Sequence, residues 1–204
     1  MLIDLKNNRK APSEKVQKAI ESINRSLANL KSLEYALSFK QSLLGIEGFA
    51  ASEYFSAISD ILPKKYAFKA RSRQPSYDKF NAVLNYVYGM TYSNLEKIVI
   101  LSGLDPNAGI YHADAYGKPT LVFDVIELFR AKVDRLAIKL FTKRMVRDSW
   151  FTASQECEPA SGVFLSKEGR RVVIDEYMTD VSKTIERESW ACCRKTIAKL
   201  IEEG

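Results

Sequence analysis

An all-α fold is the class this sequence predicts, on three observations. Only nine glycines and six prolines occur in 204 residues, too few for the turns of a many-stranded sheet protein. Val16, Ile20, Ile23, Leu27 and Leu30 recur at alternating gaps of four and three, the spacing of one helix face. The prolines Pro12, Pro63 and Pro119 fall where apolar-periodic stretches start or stop, as helix punctuation does.

The elements follow in order. Residues 1–11 form a polar leader, and Pro12-Ser13-Glu14 opens a helix with Ser13 as N-cap. Val16, Ile23, Leu30 and Leu37 are spaced by seven, a narrow seam that suits packing on the chain's own core or on another subunit. A second helix spans Gln41–Leu62 and stops at Pro63; Lys64–Ser76, basic and carrying Pro75, reads as an exposed loop. Residues 77–102 are helical with a joint near Gly89, and Gly103–Gly109 is turn chemistry. A short irregular segment carries Tyr111-His112-Ala113-Asp114. Pro119–Arg147 then forms one long helix, and one or two helices over Gly169–Glu203 follow a loop around Cys157–Gly162. The organisation reads as two parts, 1–40 and 41–204.

Composition narrows the function classes. The chain is 46% hydrophobic with a mean hydropathy of −0.20, which argues against disorder, and it lacks a membrane-length apolar run. The first residues offer no apolar stretch long enough for a signal peptide. Three cysteines form neither an even framework nor a CxxC pattern, so a cytoplasmic, reducing setting is expected. The net charge of +6 sits in the first half, where 15 Lys/Arg in residues 1–102 face 9 Asp/Glu. Lys64, Lys65, Lys69, Arg71, Arg73 and Lys79 have only Asp78 among them, and Arg130–Arg147 holds a second basic run. Such clusters suit a polyanion such as nucleic acid, or an ordinary solvated face.

Three places could carry chemistry. His112, the only histidine, stands in a loop beside acids. Asp124 and Glu127 lie three apart on a predicted helix and project to nearly the same side. Imidazole and carboxylates on adjacent elements can ligate Mg²⁺ or Mn²⁺, although Glu127 could equally pair with Arg130 on its own helix. Glu47 sits between Gly45 and Gly48. Two glycines in one turn cost about 1 kcal/mol each, as expected where a ligand or another backbone approaches closely.

These residues carry a resemblance. Gly45-Ile46-Glu47-Gly48-Phe49-Ala50-Ala51 with Tyr54-Phe55, Arg73-Gln74-Pro75-Ser76-Tyr77-Asp78 with Asn81–Tyr86, Gly103-Leu104-Asp105-Pro106 with Gly109–Asp114, and Thr120–Glu127 with Phe129-Arg130 and Asp134 resemble four ordered motifs of the CRISPR spacer-acquisition integrases. The resemblance implies a helical catalytic domain equivalent to the C-terminal domain of those enzymes. It implies Glu47, His112 and Glu127 as ligands of Mg²⁺ or Mn²⁺, with His112 leaning toward Mn²⁺, and Asp124 as an auxiliary acid. It brings Tyr54 and Asn81 near the active site, though their bland readings are a core tyrosine and a helix-surface amide. Lys64, Lys65, Lys69, Arg71, Arg73 and Arg130 become DNA contacts.

The implied reaction is transesterification, joining the 3′-hydroxyl ends of a short prespacer duplex to a CRISPR repeat, with disintegration or nuclease activity in reverse. The implied assembly is a homo-oligomer, with a dimer of dimers as one form. Members usually carry an N-terminal β domain that docks a small partner protein. Here the 45 or so residues before Glu47 read as helical, which resembles the compact integrases of small type V loci and leaves that partner open. The alternatives are a non-catalytic all-α DNA-binding module and a transposon-type relative.

Overall fold

The computed structural model describes residues 13–32, 39–109, 117–153 and 162–203. The polar leader, Leu37, the His112 segment and most of the Cys157 loop lie outside them. Seven α-helices carry the described chain: α1 Glu14–Lys31, α2 Phe39–Ile61, α3 Lys79–Leu101, α4 Thr120–Glu127, α5 Arg130–Thr142, α6 Lys167–Tyr177 and α7 Lys183–Glu203. A π-helical turn, Met178–Ser182, joins α6 to α7. Among the described residues, no helix is long and apolar enough to cross a membrane.

The first two helices pack as an antiparallel pair. Val16 and Ala19 near the start of α1 are buried against Ala57 and Ile61 near the end of α2, with Ile20, Ile23 and Tyr54 closing the cluster. The early part of the apolar seam therefore packs on the chain itself, while Leu27 and Leu30 stay exposed. Ser13 holds the N-cap position without a capping bond; its hydroxyl donates instead to Asp60. The donated bond fixes the rotamer of Ser13 toward α2, so its oxygen does not accept from the N–H groups of the first turn of α1.

Helix α3 is the hub. Phe80, Val83, Leu84, Val87, Leu95 and Val99 are fully buried along it, and α4, α5, α6, α7 and a short strand all pack on it. Gly89 introduces no joint, for α3 is continuous from Lys79 to Leu101. Asp78 caps it, accepting from Asn81 N at 2.8 Å.

Two expectations are corrected. The expected Pro119–Arg147 helix is two helices that end at Thr142, because the chain tightens after Glu127 through i→i−3 bonds from Leu128 N to Val125 O and from Phe129 N to Ile126 O. The turn sends Phe129 into the core and leaves Leu128 exposed. The Lys64–Ser76 stretch is only partly an exposed loop, since Tyr66, Phe68 and Ser76 are buried. Phe68 stacks on Phe80 at 4.8 Å and Tyr66 meets Phe141 edge-on at 4.9 Å, so aromatic burial outweighs the local polarity.

A small antiparallel hairpin also lies outside the expected class. Strands β1 Phe151–Ala153 and β2 Val163–Leu165 pair with Thr152 opposite Phe164. Three-residue strands are too short to show alternation in sequence. The fold remains helical around this single described hairpin.

Candidate functional site

The site grows from α2, whose first half carries Glu47. A Cβ placed on Gly45 or Gly48 would meet nothing within 4 Å, so within the described chain neither glycine serves a helix–helix crossing. They leave the surface beside Glu47 open. Glu47 and Glu127, eighty positions apart in sequence, line one cavity of about 360 Å³, with Leu27, Leu30, Leu43 and Ile46 as apolar walls.

The turn that ends α4 puts Glu127 at a helix C-terminus, where the backbone dipole disfavours an anion. Arg130 answers this with an ion pair to Glu127, as the i,i+3 spacing foretold. Among the described residues, the buried Arg130 Nε meets no hydrogen-bond partner. Asp124 is half-buried one turn before Glu127 on the same helix. His112 lies outside the described residues. Among the described residues, no group of three or more His, Cys, Asp and Glu side chains is gathered to hold a metal. Two carboxylates on one cavity, with a backbone dipole that calls for positive charge, nevertheless suit a hard cation with oxygen ligands.

Further along α2 lies a buried network that sequence reasoning reached only in part. The Asp134 carboxylate on α5 is 3% exposed. It accepts from the Tyr54 hydroxyl of α2 at 2.7 Å and from the Tyr88 hydroxyl of α3 at 2.9 Å. Burial pushes the Asp134 carboxyl up, and the two hydroxyls, Arg71 and Arg130 pull it back. Burial, then the neighbouring carboxylate, pushes both tyrosines above their ordinary value. Tyr54 is thus neither a plain core residue nor a cavity-lining one. Tyr88 carried no sequence signal beyond its place in the apolar stretch of α3.

Arg71, expected among the DNA contacts, is half-buried. Its guanidinium lies 5.9 Å from the Phe55 ring centroid and 5.7 Å from that of Tyr88 and donates to Asn81 Oδ1 at 2.9 Å. Burial lowers its pKa. Aromatic faces and the Asn81 amide thus hold this half-buried arginine against the protein.

Asn81 is corrected, for it is fully buried rather than a surface amide. Its amide also accepts from Ser72 N at 3.2 Å and donates to Ala70 O at 3.0 Å and Asp78 Oδ2 at 2.6 Å. Asn81 and Asn85, which donates to Ser72 O and Ser76 Oγ at 3.1 and 2.6 Å, hold the 70–78 loop in shape. Lys64, Lys65, Lys69 and Arg73 remain exposed.

The second basic run divides. Lys132 pairs with Glu188, and Lys139 with Glu176 and Asp180, which ties α5 to the C-terminal helices. Lys143, Arg144 and Arg147, beyond the end of α5, stay exposed.

Comparison with known proteins gives the family and the fold. The sequence pattern of the family described as CRISPR associated protein Cas1 matches residues 1–179. The chain is 34% identical over 170 residues to a CRISPR-associated endonuclease Cas1 of Thermodesulfovibrio yellowstonii, covering 83% of this chain and 52% of that relative. It is 30% identical over 196 residues to one of Leptospira interrogans, covering 94% and 75%. Against its first relatives the chain spans about half their length. In solved structures the fold matches a chain of a Cas6-RT-Cas1–Cas2 complex with TM-score 0.81 and 22% identity, over 97% of this chain and 22% of that one. It also matches a casposase bound to integration product with TM-score 0.71 and 21% identity, over 91% and 57%. At these identities the structural matches speak for the fold.

Proposed function

Because this chain belongs to the Cas1 family of CRISPR-associated proteins, we propose that it is a divalent-metal-dependent integrase that joins the 3′-hydroxyl ends of short DNA duplexes to a CRISPR repeat. The observation that carries the reading is the convergence of Glu47 and Glu127 on one cavity, beside membership of a family whose relatives are named endonucleases. Glu47, Glu127 and His112 would hold Mg²⁺ or Mn²⁺, with Asp124 as the auxiliary acid. A bound divalent ion supplies Lewis acidity at a phosphoryl oxygen and eases deprotonation of the attacking hydroxyl.

The chain's own groups supply the rest. Arg130 balances Glu127 with a guanidinium that stays partly exposed, a donor suited to a phosphate oxygen. Tyr54, Asp134 and Tyr88 hold α2, α3 and α5 in register, which keeps the two carboxylates at a set separation. Lys64, Lys65, Lys69 and Arg73 neutralise phosphates, each contact adding about 0.9 to the salt slope of binding. Homo-oligomerisation and a Cas2-type partner belong to the same reading, as does a cytoplasmic setting. The similarity to a casposase favours one second reading, the same chemistry in a transposon-type element; neighbouring genes separate the two.

The test incubates the protein with Mn²⁺ or Mg²⁺, a short duplex bearing free 3′-hydroxyls and a supercoiled repeat plasmid. Joining that depends on metal and is lost in Glu47→Ala, His112→Ala and Glu127→Ala, with duplex affinity retained, is the expected result. Joining undiminished in all three variants overturns the site. Duplex binding without joining by the wild type under any metal points to a non-catalytic binding module.

A further inference from the structure

The two basic segments that sequence keeps seventy to eighty positions apart meet in space. The Tyr66 hydroxyl donates to Val146 O at 3.4 Å and its ring rests on Phe141, which seats the Lys64–Tyr66 turn beside the end of α5. Lys65 and Lys79 both reach Asp148, at 3.7 and 2.6 Å. Lys64 adjoins Lys65 in that turn, and Lys143, Arg144 and Arg147 follow the end of α5, so their exposed charges belong to the same junction. Among the described residues, Lys64, Lys143, Arg144 and Arg147 make no ion pair.

Arg144 adds an independent observation. It is the only described non-glycine residue with a positive φ, at 56°. Its N–H donates to Phe141 O at 3.1 Å and the Met145 N–H to Leu140 O at 3.0 Å, the paired bonds of a Schellman ending. Glycine takes that position without strain. An arginine there carries a backbone cost and projects its charge beyond the helix end, and strain of this kind marks functional positions.

We propose that this patch extends the Lys64–Arg73 contacts across the end of α5 and grips the phosphates of a duplex away from the reacting end. It rests on the DNA-joining reading above and adds where the body of the duplex lies. Helix α2 sets the separation: Glu47 to Ile61 is about 21 Å of helix at 1.5 Å per residue, and Lys64 follows just beyond. At 3.4 Å per base step, that distance is about six base pairs.

The experiment measures binding of a labelled duplex of about twenty base pairs and a hairpin with a stem of about five, between about 0.05 and 0.2 M salt. Wild type is compared with Arg144→Gly, Arg147→Ala, Asp148→Asn and the remote control Lys18→Ala. Arg144→Gly is expected to weaken the long duplex about eightfold at 0.1 M salt and to lower the salt slope by about 0.9. Its Tm is expected to stay level or rise, an outcome that a purely structural role for the arginine does not produce together with lost binding. Arg147→Ala should weaken the long duplex, Asp148→Asn should tighten it, and the hairpin should respond to none of them. Wild-type affinity in both arginine variants, or equal losses on hairpin and duplex, overturns the remote patch. A wild type that binds neither DNA overturns the DNA-joining reading itself.

Discussion

The Tyr54 hydroxyl donates to the Asp134 carboxylate at 2.7 Å across eighty positions of sequence, and that bond joins the helix of Glu47 to the helix that follows Glu127. With Tyr88 on the other carboxylate oxygen, three helices meet at one buried charge. A buried carboxylate is tolerated because its oxygens are answered by donors. Removing one donor exposes that cost.

Tyr54→Phe is therefore expected to destabilise the fold by about 2 kcal/mol where Asp134 is ionised, as loss of a hydrogen bond to a charged group does. The hydroxyl favours the charged form, so its removal raises an Asp134 pKa that burial already holds above 3.8. A raised carboxyl pKa means that the folded state binds more protons than the unfolded one, so stability falls as pH rises through that window. The penalty of the variant should accordingly grow with pH and shrink on acidification. Urea unfolding from about pH 4 to about pH 8 reads it; a penalty independent of pH would separate the tyrosine from the Asp134 charge.

Asn81→Ala removes the amide that ties Ala70, Ser72, Asp78 and Arg71 together. A loss of about 2 kcal/mol is expected, a fall in Tm of roughly 4–8 °C. Proteolysis within residues 69–78 should accelerate more than at any other described loop. Cleavage spread evenly over the chain would contradict a local anchoring role.

Lys139→Ala separates packing charge from DNA charge. Lys139 pairs with Glu176 and Asp180 and is three-quarters covered, so about 1 kcal/mol of stability should be lost. Duplex affinity should hold, in contrast to Arg144→Gly. Affinity that drops with stability unchanged would return α5 to the DNA-binding surface.

Gly169→Ala tests the seam between the hairpin and α6. A Cβ there would lie 2.7 Å from Trp150 Cβ and 2.9 Å from Trp150 O, and the backbone cannot yield as a flexible side chain does. A loss of about 1–3 kcal/mol is expected, with a change in tryptophan fluorescence as Trp150 moves. A variant as stable as wild type would show that the contact relaxes freely.

Much of this molecule was legible in one dimension. Helical class, the stop at Pro63, the turn at Gly103 and the Glu127–Arg130 pair all depend on residues within a few positions of each other, where backbone geometry alone decides who meets whom. Motif resemblance reached further, to the family and its helical domain, because several motifs in one order are far more specific than any local pattern.

Only the tertiary structure decided the rest. Whether a cation faces solvent or an aromatic ring depends on neighbours far away in sequence, so Arg71 turned inward while Lys64 and Arg73 stayed out. The break after Glu127 was decided by where Phe129 could be buried. Asn81 became a core residue because the loop just before its helix folds back over it, and the positive charge, diffuse when counted along the chain, gathered beside the end of α5 because Tyr66 found Phe141. Sequence sets what each residue can do; burial and long-range contact, which depend on the whole chain at once, select which of those things it does.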